Sequence, residues 1–244
     1  MKQYGLIGKS LKHSFSKSYF EEKFARERIL DCQYELFELT DIQQFTGFIQ
    51  NHPNLEGFNV TIPYKQSIIP YLDELEPEAA QVGAVNVVRI FRSGQQIYTK
   101  GYNTDIVGFR ESLVSRALPK KALILGTGGA AAAVYHVLTQ QGIDCQHVSR
   151  FQHPGMLTYE ALTADIIHDY KMIVNCTPVG TMDNQCPPLP YEAIGKEHFL
   201  YDLVYNPLKT KFLEEGEKHH AATQNGLQML HMQAEAGWKI WQFK

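Results

Sequence analysis

Basic residues are in short supply. Lys and Arg number 23 against 26 Asp and Glu, a formal net charge of −3. No basic run is long enough to follow a phosphate backbone, which argues against a nucleic-acid binder. Long apolar runs are missing too; none approaches the ~20 residues that a helix needs to cross a bilayer. Cysteine is scarce: Cys32, Cys145, Cys176 and Cys186 include no C-x-x-C pair, so no disulfide framework is expected. Cys32, Cys145 and Cys176 sit in apolar or strand-like surroundings, where a thiol acts as a small hydrophobe. The ten histidines include no H-E-x-x-H and no cluster at ligand spacing, so no metal is expected. Tyr4-Gly5-Leu6-Ile7-Gly8 enters a strand at once, leaving no room for a signal peptide. A cytoplasmic location, with no nucleic-acid or membrane partner, is the expectation.

What is present is the makings of a core. Hydrophobic residues form 44% of the 244, enough to exclude disorder and to fill one large domain or two small ones. Strand patterns fall at 3–8, 33–39, 57–62, 85–91, 96–102, 121–126, 145–149, 172–176 and 199–204. Helical patterns lie between most of them, at 16–29, 41–51, 65–74, 105–116, 129–141, 159–169, 209–219 and 226–242. The alternation predicts an α/β architecture with mainly parallel sheets. Segments 85–91 and 96–102, joined by Arg92-Ser93-Gly94-Gln95, predict an antiparallel hairpin as the exception. A boundary is expected near helix 105–116, before Leu118-Pro119-Lys120-Lys121 starts a new strand.

Two segments carry chemistry. Asn59-Val60-Thr61-Ile62-Pro63-Tyr64-Lys65 reads as a buried strand that breaks at Pro63, because proline cannot donate to a ladder. The break gathers an amide, a hydroxyl and an ammonium at a strand end, where α/β sheets build their sites. Taken alone, the segment fits a surface loop with a solvated lysine equally well. Gly101-Tyr102-Asn103-Thr104-Asp105 precedes an amphipathic stretch, and Thr104 or Asp105 suits a helix cap. Lys65 and Asp105 also form a pair able to move a proton at a carbonyl or alcohol oxygen, if the fold brings them together.

The apolar run Ala122-Leu123-Ile124-Leu125 enters Gly126-Thr127-Gly128-Gly129-Ala130-Ala131, and a helical stretch follows up to Gly142 as C-cap. This is G-x-G-x-x-[GA] in strand–turn–helix context, which predicts dinucleotide binding. The glycines let the backbone approach a pyrophosphate, and the helix N-terminus offers unpaired N–H groups. An acid ending the next strand would hold the ribose diol of NAD. The chain has Ser149-Arg150 there. A guanidinium suits a 2′-phosphate, so NADP(H) is the expected cofactor. Phe151 either stacks on the adenine or packs.

The segments Asn59-Val60-Thr61-x-Pro63-x-Lys65, Gly83-Ala84-Val85-Asn86 and Asn103-Thr104-Asp105 resemble the signatures of shikimate dehydrogenases. So do Gly8-Lys9-Ser10-Leu11-Lys12-His13-Ser14-Phe15-Ser16, Asn175-Cys176-Thr177-Pro178-x-Gly180 and Asn225-Gly226-Leu227-x-Met229-Leu230-x-x-Gln233-Ala234. All six stand in the family's order and span nearly the whole chain. The resemblance implies two α/β domains with the active site in the cleft between them. Residues 1–104 would form a substrate-binding domain, completed by a returning helix at about 228–244, and 105–227 a Rossmann-like NADP-binding domain.

It further implies reversible reduction of 3-dehydroshikimate to shikimate, on the route to chorismate and the aromatic amino acids. Lys65 and Asp105 would be catalytic. Ser14 and Ser16 would hold the substrate carboxylate, with Tyr205 at the same end; Ser16 also suits a helix N-cap. Asn59, Thr61, Asn86, Asp105 and Gln233 would bind the ring hydroxyls. The cofactor would meet Gly126, Thr127, Gly128, Gly129, Ala130, Ser149, Arg150, Asn175, Thr177, Pro178 and Gly226. The family's NADP-dependent members usually have Asn-Arg-Thr where this chain has Ser149-Arg150-Phe151, which points to a looser NADP preference. The implied state is a monomer or homodimer acting on a small molecule. A quinate or quinate/shikimate dehydrogenase and a non-catalytic metabolite or NADP sensor are the alternatives.

Overall fold

A computed structural model describes residues 1–12, 14–113, 117–182 and 184–243. His13 of the N-terminal signature, residues 114–116 of the expected helix 105–116 and the final residue 244 lie outside the described residues. The first elements are β1 (Lys2–Gly8), α1 (Ser16–Glu27), β2 (Cys32–Glu38), α2 (Phe45–Asn51), β3 (Leu55–Val60), α3 (Tyr64–Ser67), β4 (Glu74–Leu75), α4 (Pro77–Val82), β5 (Val87–Ser93) and β6 (Gln96–Tyr102). Then come α5 (Thr104–Ser112), β7 (Lys121–Leu125), α6 (Gly129–Gln140), β8 (Asp144–Ser149), β9 (Leu157–Thr158) and α7 (Ala164–Asp169). The last are β10 (Met172–Asn175), β11 (Phe199–Asp202), α8 (Lys211–Lys218), β12 (Ala222–Gln224) and α9 (Leu227–Gln242). The chain divides into two units, Met1–Thr104 with Ala234–Lys244, and Asp105–Gln233.

The first unit is built on a sheet of order β2-β1-β3-β5-β6-β4. β1 pairs in parallel with β2 and β3, while β5 runs antiparallel to both β3 and β6. The β5–β6 hairpin closes through Gly94-Gln95, since Ser93 pairs with Gln96. Alternation along the strands fills both faces. Tyr4 and Leu6 join Phe20 and Phe24 of α1 and Trp238 and Trp241 of α9 on one side. Ile7, Val88 and Ile90 join Phe45, Phe48 and Tyr64 on the other.

The end of α9 is held to this unit by polar as well as apolar contacts. Lys23 is buried, and its Nζ donates to Glu235 and to Glu27, each at 2.8 Å. The Tyr19 hydroxyl donates to Glu235 at 2.5 Å. Trp241 Nε1 donates to the Val88 carbonyl at 3.0 Å, and its ring stacks on Tyr4.

The second unit carries a fully parallel sheet of order β12-β11-β10-β7-β8-β9. Counted from β7, this is the doubly wound order 3-2-1-4-5-6. Leu123 and Leu125 of β7 enter one core cluster with Val148, Ile173 and Phe212, while the intervening Ala122 and Ile124 are equally buried. A strand buried on both faces reads as a continuous apolar run, as 122–125 does. Gly142, two residues past the end of helix α6, has a φ of +76° and turns the chain away, and Ile143 N–H donates to the Leu138 carbonyl at 3.0 Å.

Several sequence expectations need correction. The helix expected at 65–74 is the single turn α3, then a 3-10 turn at Ile69–Tyr71, then β4. Pro70 sits in that turn and has no N–H to carry a longer helix. The stretch 159–169 likewise splits, into a 3-10 turn at Tyr159–Ala161 and α7, with Thr163 capping the second piece. Helix α4 was not anticipated, although Pro77 opens it, the Glu76 side chain accepts from Ala79 N–H at 3.2 Å and Gly83 closes it. Strands β4, β9 and β12 are edge strands of two or three residues, too short to leave a pattern.

Trp241→Ala should destabilise the first unit by about 3–5 kcal/mol, because it opens a cavity over Tyr4, Phe20 and Gly57 and removes the bond to the Val88 carbonyl. Urea unfolding followed by far-UV circular dichroism measures this. An unchanged midpoint would refute the packing role.

Candidate active site

In the first unit the expected substrate residues gather where strands end. β1 stops at Gly8 and β3 at Val60, and Thr61 N–H donates back to the Ile7 carbonyl at 2.9 Å. Chain reversal at Pro63 then places Lys65 in the first turn of α3, where its carbonyl accepts Val85 N–H at 2.7 Å. Asn59 and Asn86 are both buried and are brought together. The Asn86 carbonyl accepts Val60 N–H at 2.9 Å and Asn59 Nδ2 at 3.3 Å. The Asn86 side chain grips Thr104, accepting its N–H at 2.6 Å and donating to its hydroxyl at 3.0 Å. Asn103 Nδ2 donates to the Ala84 carbonyl at 2.8 Å. The segments at 59–65, 83–86 and 103–104, far apart in sequence, are thus one hydrogen-bonded group.

The serines differ from one of the two expected roles. Ser16 is the first helical residue of α1 and makes no N-cap; instead the Ser14 hydroxyl accepts Ser16 N–H at 3.3 Å. Ser14 is itself tied by its N–H to the Leu11 carbonyl at 2.9 Å.

In the second unit the glycine-rich loop leaves β7 at Gly126, where φ is +110°, a conformation glycine alone adopts at little cost. Gly126 N–H donates to Val148 at 2.8 Å, and its carbonyl accepts from His147 Nδ1 at 3.0 Å. Thr127 and Gly128 are exposed, and Gly129 and Ala130 open α6. A Cβ built on Gly128 would meet nothing within 4 Å, so the loop presents open backbone at a helix N-terminus. That fits a dinucleotide's phosphates. The loop lies beside β10, at the point where the strand order reverses. After β8, Ser149 Oγ accepts Phe151 N–H at 3.2 Å, while the Arg150 guanidinium lies exposed, 5.8 Å from the Phe151 ring centre.

The segment after β10 is fixed from beneath. Asn175 is fully buried; its Oδ1 accepts Thr177 N–H at 3.1 Å and the Thr177 hydroxyl at 2.6 Å. Its Nδ2 donates to Asp202 at 2.9 Å. Asp202 in turn accepts Val204 N–H at 3.0 Å and the Thr210 hydroxyl at 2.5 Å. Pro178 follows on the exposed side. Sequence reasoning missed Asp202; its apolar approach, Phe199-Leu200-Tyr201, was the available signal. Gly226 N–H donates to Val204 at 3.1 Å, and a Cβ on Gly226 would fall 2.1 Å from the Leu203 carbonyl oxygen. Glycine is therefore required by close approach.

Asp105 is buried in the first turn of α5, and its charge joins that of Asp202 and, above all, burial in driving the Cys176 thiol well above its ordinary value. Burial likewise raises Cys145 to about 12. Tyr205 follows β11 half-buried, and Gln233 on α9 donates to the Leu230 carbonyl at 3.0 Å. Lys65 belongs to the first unit and Asp105 to the second. Among the described residues no group of three or more His, Cys, Asp or Glu suits a metal, and no helix is long and apolar enough to cross a membrane.

A doubly wound sheet with this loop, joined to a second α/β unit rich in amide and hydroxyl groups, defines the architecture of a two-domain dinucleotide-dependent enzyme. A family model described as the shikimate dehydrogenase substrate binding domain matches residues 6–88. A curated shikimate dehydrogenase (NADP(+)) of Caldicellulosiruptor saccharolyticus is 35% identical over 99% of this chain and 92% of its own. Among solved structures, the shikimate dehydrogenase of Aquifex aeolicus aligns with a TM-score of 0.87 at 32% identity, covering 99% of this chain and 92% of that one. That of Thermus thermophilus, in complex with NADP(H) and shikimate, gives 0.83 at 30% identity over 99% and 94%. The chain belongs to the shikimate dehydrogenase family.

Asp202 makes a pH prediction. Burial lifts its pKa from 3.8 to about 6, against the pull of Thr210, Val204 and Asn175. A raised carboxyl stabilises the fold fully below the unfolded value and loses that contribution as pH climbs through the folded one. The loss amounts to roughly 3 kcal/mol at most. Asp202→Asn should escape it, so the stability difference between variant and wild type should shift toward the variant between about pH 4 and pH 6. Urea midpoints measured across that range test this, and a pH-independent difference would count against a buried, titrating Asp202.

Proposed function

We propose that this protein interconverts 3-dehydroshikimate and shikimate with NADP(H), a step on the way to chorismate and the aromatic amino acids. The observation that carries the reading is the full-length similarity to relatives bearing that activity in their names. The Ser149-Arg150 end of β8 supports NADP, since the guanidinium suits a 2′-phosphate and no acid is present for a ribose diol. It also speaks against the NAD-linked quinate alternative. A cytoplasmic location and a monomeric or homodimeric state belong to the same reading.

Bound NADP(H) supplies or takes the hydride at the ring carbon. The chain holds the rest. Ser14, Ser16 and Tyr205 bind the carboxylate, and Asn59, Thr61, Asn86 and Gln233 bind ring hydroxyls. Buried amides of this kind reject an analogue that leaves them unpaired. Lys65 delivers the proton to the forming hydroxyl oxygen, and Asp105 orients that hydroxyl and supports the lysine. Gly126 to Ala130 receive the phosphates, while Asn175, Thr177, Pro178 and Gly226 form the cofactor's seat in the second unit.

Absorbance at the NADPH band tests the reading, with shikimate and quinate each offered with NADP⁺ and NAD⁺. Rapid reduction of NADP⁺ by shikimate is expected, and preference for quinate or NAD⁺ overturns the substrate or cofactor assignment. Lys65→Ala should lower kcat by about 10²–10⁴-fold with NADPH affinity nearly intact, as for loss of a proton-transfer group; near-normal turnover removes Lys65 from that role. Arg150→Ala should raise the KM for NADPH about ten-fold or more and leave that for NADH almost unchanged, as for loss of a charge-assisted contact. Equal losses for both cofactors would refute the 2′-phosphate contact.

A further inference from the structure

Tyr34 lies in the middle of β2, directly across the ladder from Tyr4. It is fully buried, and its ring stacks on Phe20 with centroids 4.4 Å apart and planes 12° from parallel. Packing explains the ring. It does not explain the hydroxyl, which donates to Asn59 Oδ1 at 2.7 Å. Burial drives the phenol far above its ordinary pKa, with only Ser16 working the other way, so it remains a protonated donor at any working pH.

Asn59 is gripped at both ends. Its Nδ2 faces the Asn86 carbonyl, which can only accept, and its Oδ1 faces the Tyr34 hydroxyl. Turning the amide over would set Oδ1 against the Asn86 carbonyl oxygen and lose that bond, so the carbonyl fixes which way the amide points and leaves Oδ1 for the Tyr34 hydroxyl to hold. We propose that Tyr34 is a positioning residue that locks the Asn59 amide, so that Asn59 meets substrate through the second N–H of Nδ2, as a donor to a substrate oxygen. Without the phenol hydroxyl, Oδ1 is left unpaired in a buried site and the amide loses one of its two anchors. The proposal rests on the substrate reading given above for Asn59.

The test is a double-mutant cycle between Tyr34→Phe and Asn59→Ala, read both as kcat/KM and as the Kd for shikimate by calorimetry. Asn59→Leu serves as a second partner should the alanine variant fold poorly. Tyr34→Phe keeps the stacked ring and should remain folded, melting a few degrees below wild type because Asn59 Oδ1 loses its donor. It is expected to lower kcat/KM for shikimate about ten-fold, through KM, and to leave the KM for NADP⁺ alone. In the Asn59→Ala background it should cost almost nothing more, because the group it positions is gone. A loss that adds fully to that of Asn59→Ala, or kcat/KM within about two-fold of an active wild type, would overturn the proposal. A wild type that binds shikimate without turnover overturns the reaction instead, and the cycle is then read in Kd. A wild type that binds no shikimate overturns both.

Discussion

Backbone and side-chain hydrogen bonds converge on a single residue, Asn86, and the polar cluster of the first unit hangs on them. Its carbonyl takes Val60 N–H and Asn59 Nδ2, and its own N–H donates to the Tyr102 carbonyl at 3.0 Å. A strand that ends inside a protein leaves groups that must find partners or cost stability. Here they find one another, and the polar side chains are ordered as a consequence. Under the proposed function, amides that recognise the substrate are therefore already oriented, which reduces the entropy lost on binding.

The second unit solves the same problem with a charge. Asn175 closes the end of β10, and Asp202 at the end of β11 holds Asn175, Val204 and Thr210 together. A carboxylate so deeply placed is costly even with three donors, as its raised pKa records. What it provides is a fixed course for two loops, 175–180 and 202–210, the first of which reaches Gly126 of the glycine-rich turn through Cys176 and Thr177. Both units thus fix a polar loop by a buried amide, and both place that loop beyond the carboxyl ends of parallel strands, where open α/β sheets bind ligands.

Much of this was legible in order along the chain. The β7–loop–α6 unit stands where G-x-G-x-x-A between an apolar run and an alanine-rich helix put it, because each part has a strong local cause. Hairpin β5–β6 was likewise fixed by its short turn. Residues 65–74 do not form one helix because Pro70 interrupts the ladder, and α4 left little pattern because its caps, not its apolar content, define it. The edge strands β4, β9 and β12 take their conformation from neighbours rather than from their own residues.

Residue types and their spacing determined by themselves the α/β class, the dinucleotide loop, the lack of an acid after β8 and the family. Tertiary structure alone decided which polar groups meet. Nothing in the sequence joins Tyr34 to Asn59, Asn86 to Thr104 or Asn175 to Asp202, for these pairs lie 25, 18 and 27 residues apart. It also decided that the last helix passes from the second unit into the first, where Trp238, Trp241 and Glu235 complete a core begun by Tyr4 and Lys23. The physical reason is common to all: periodicity and turn chemistry act over a few residues, whereas a buried hydrogen bond is set by whichever partner the folded chain brings within about 3 Å.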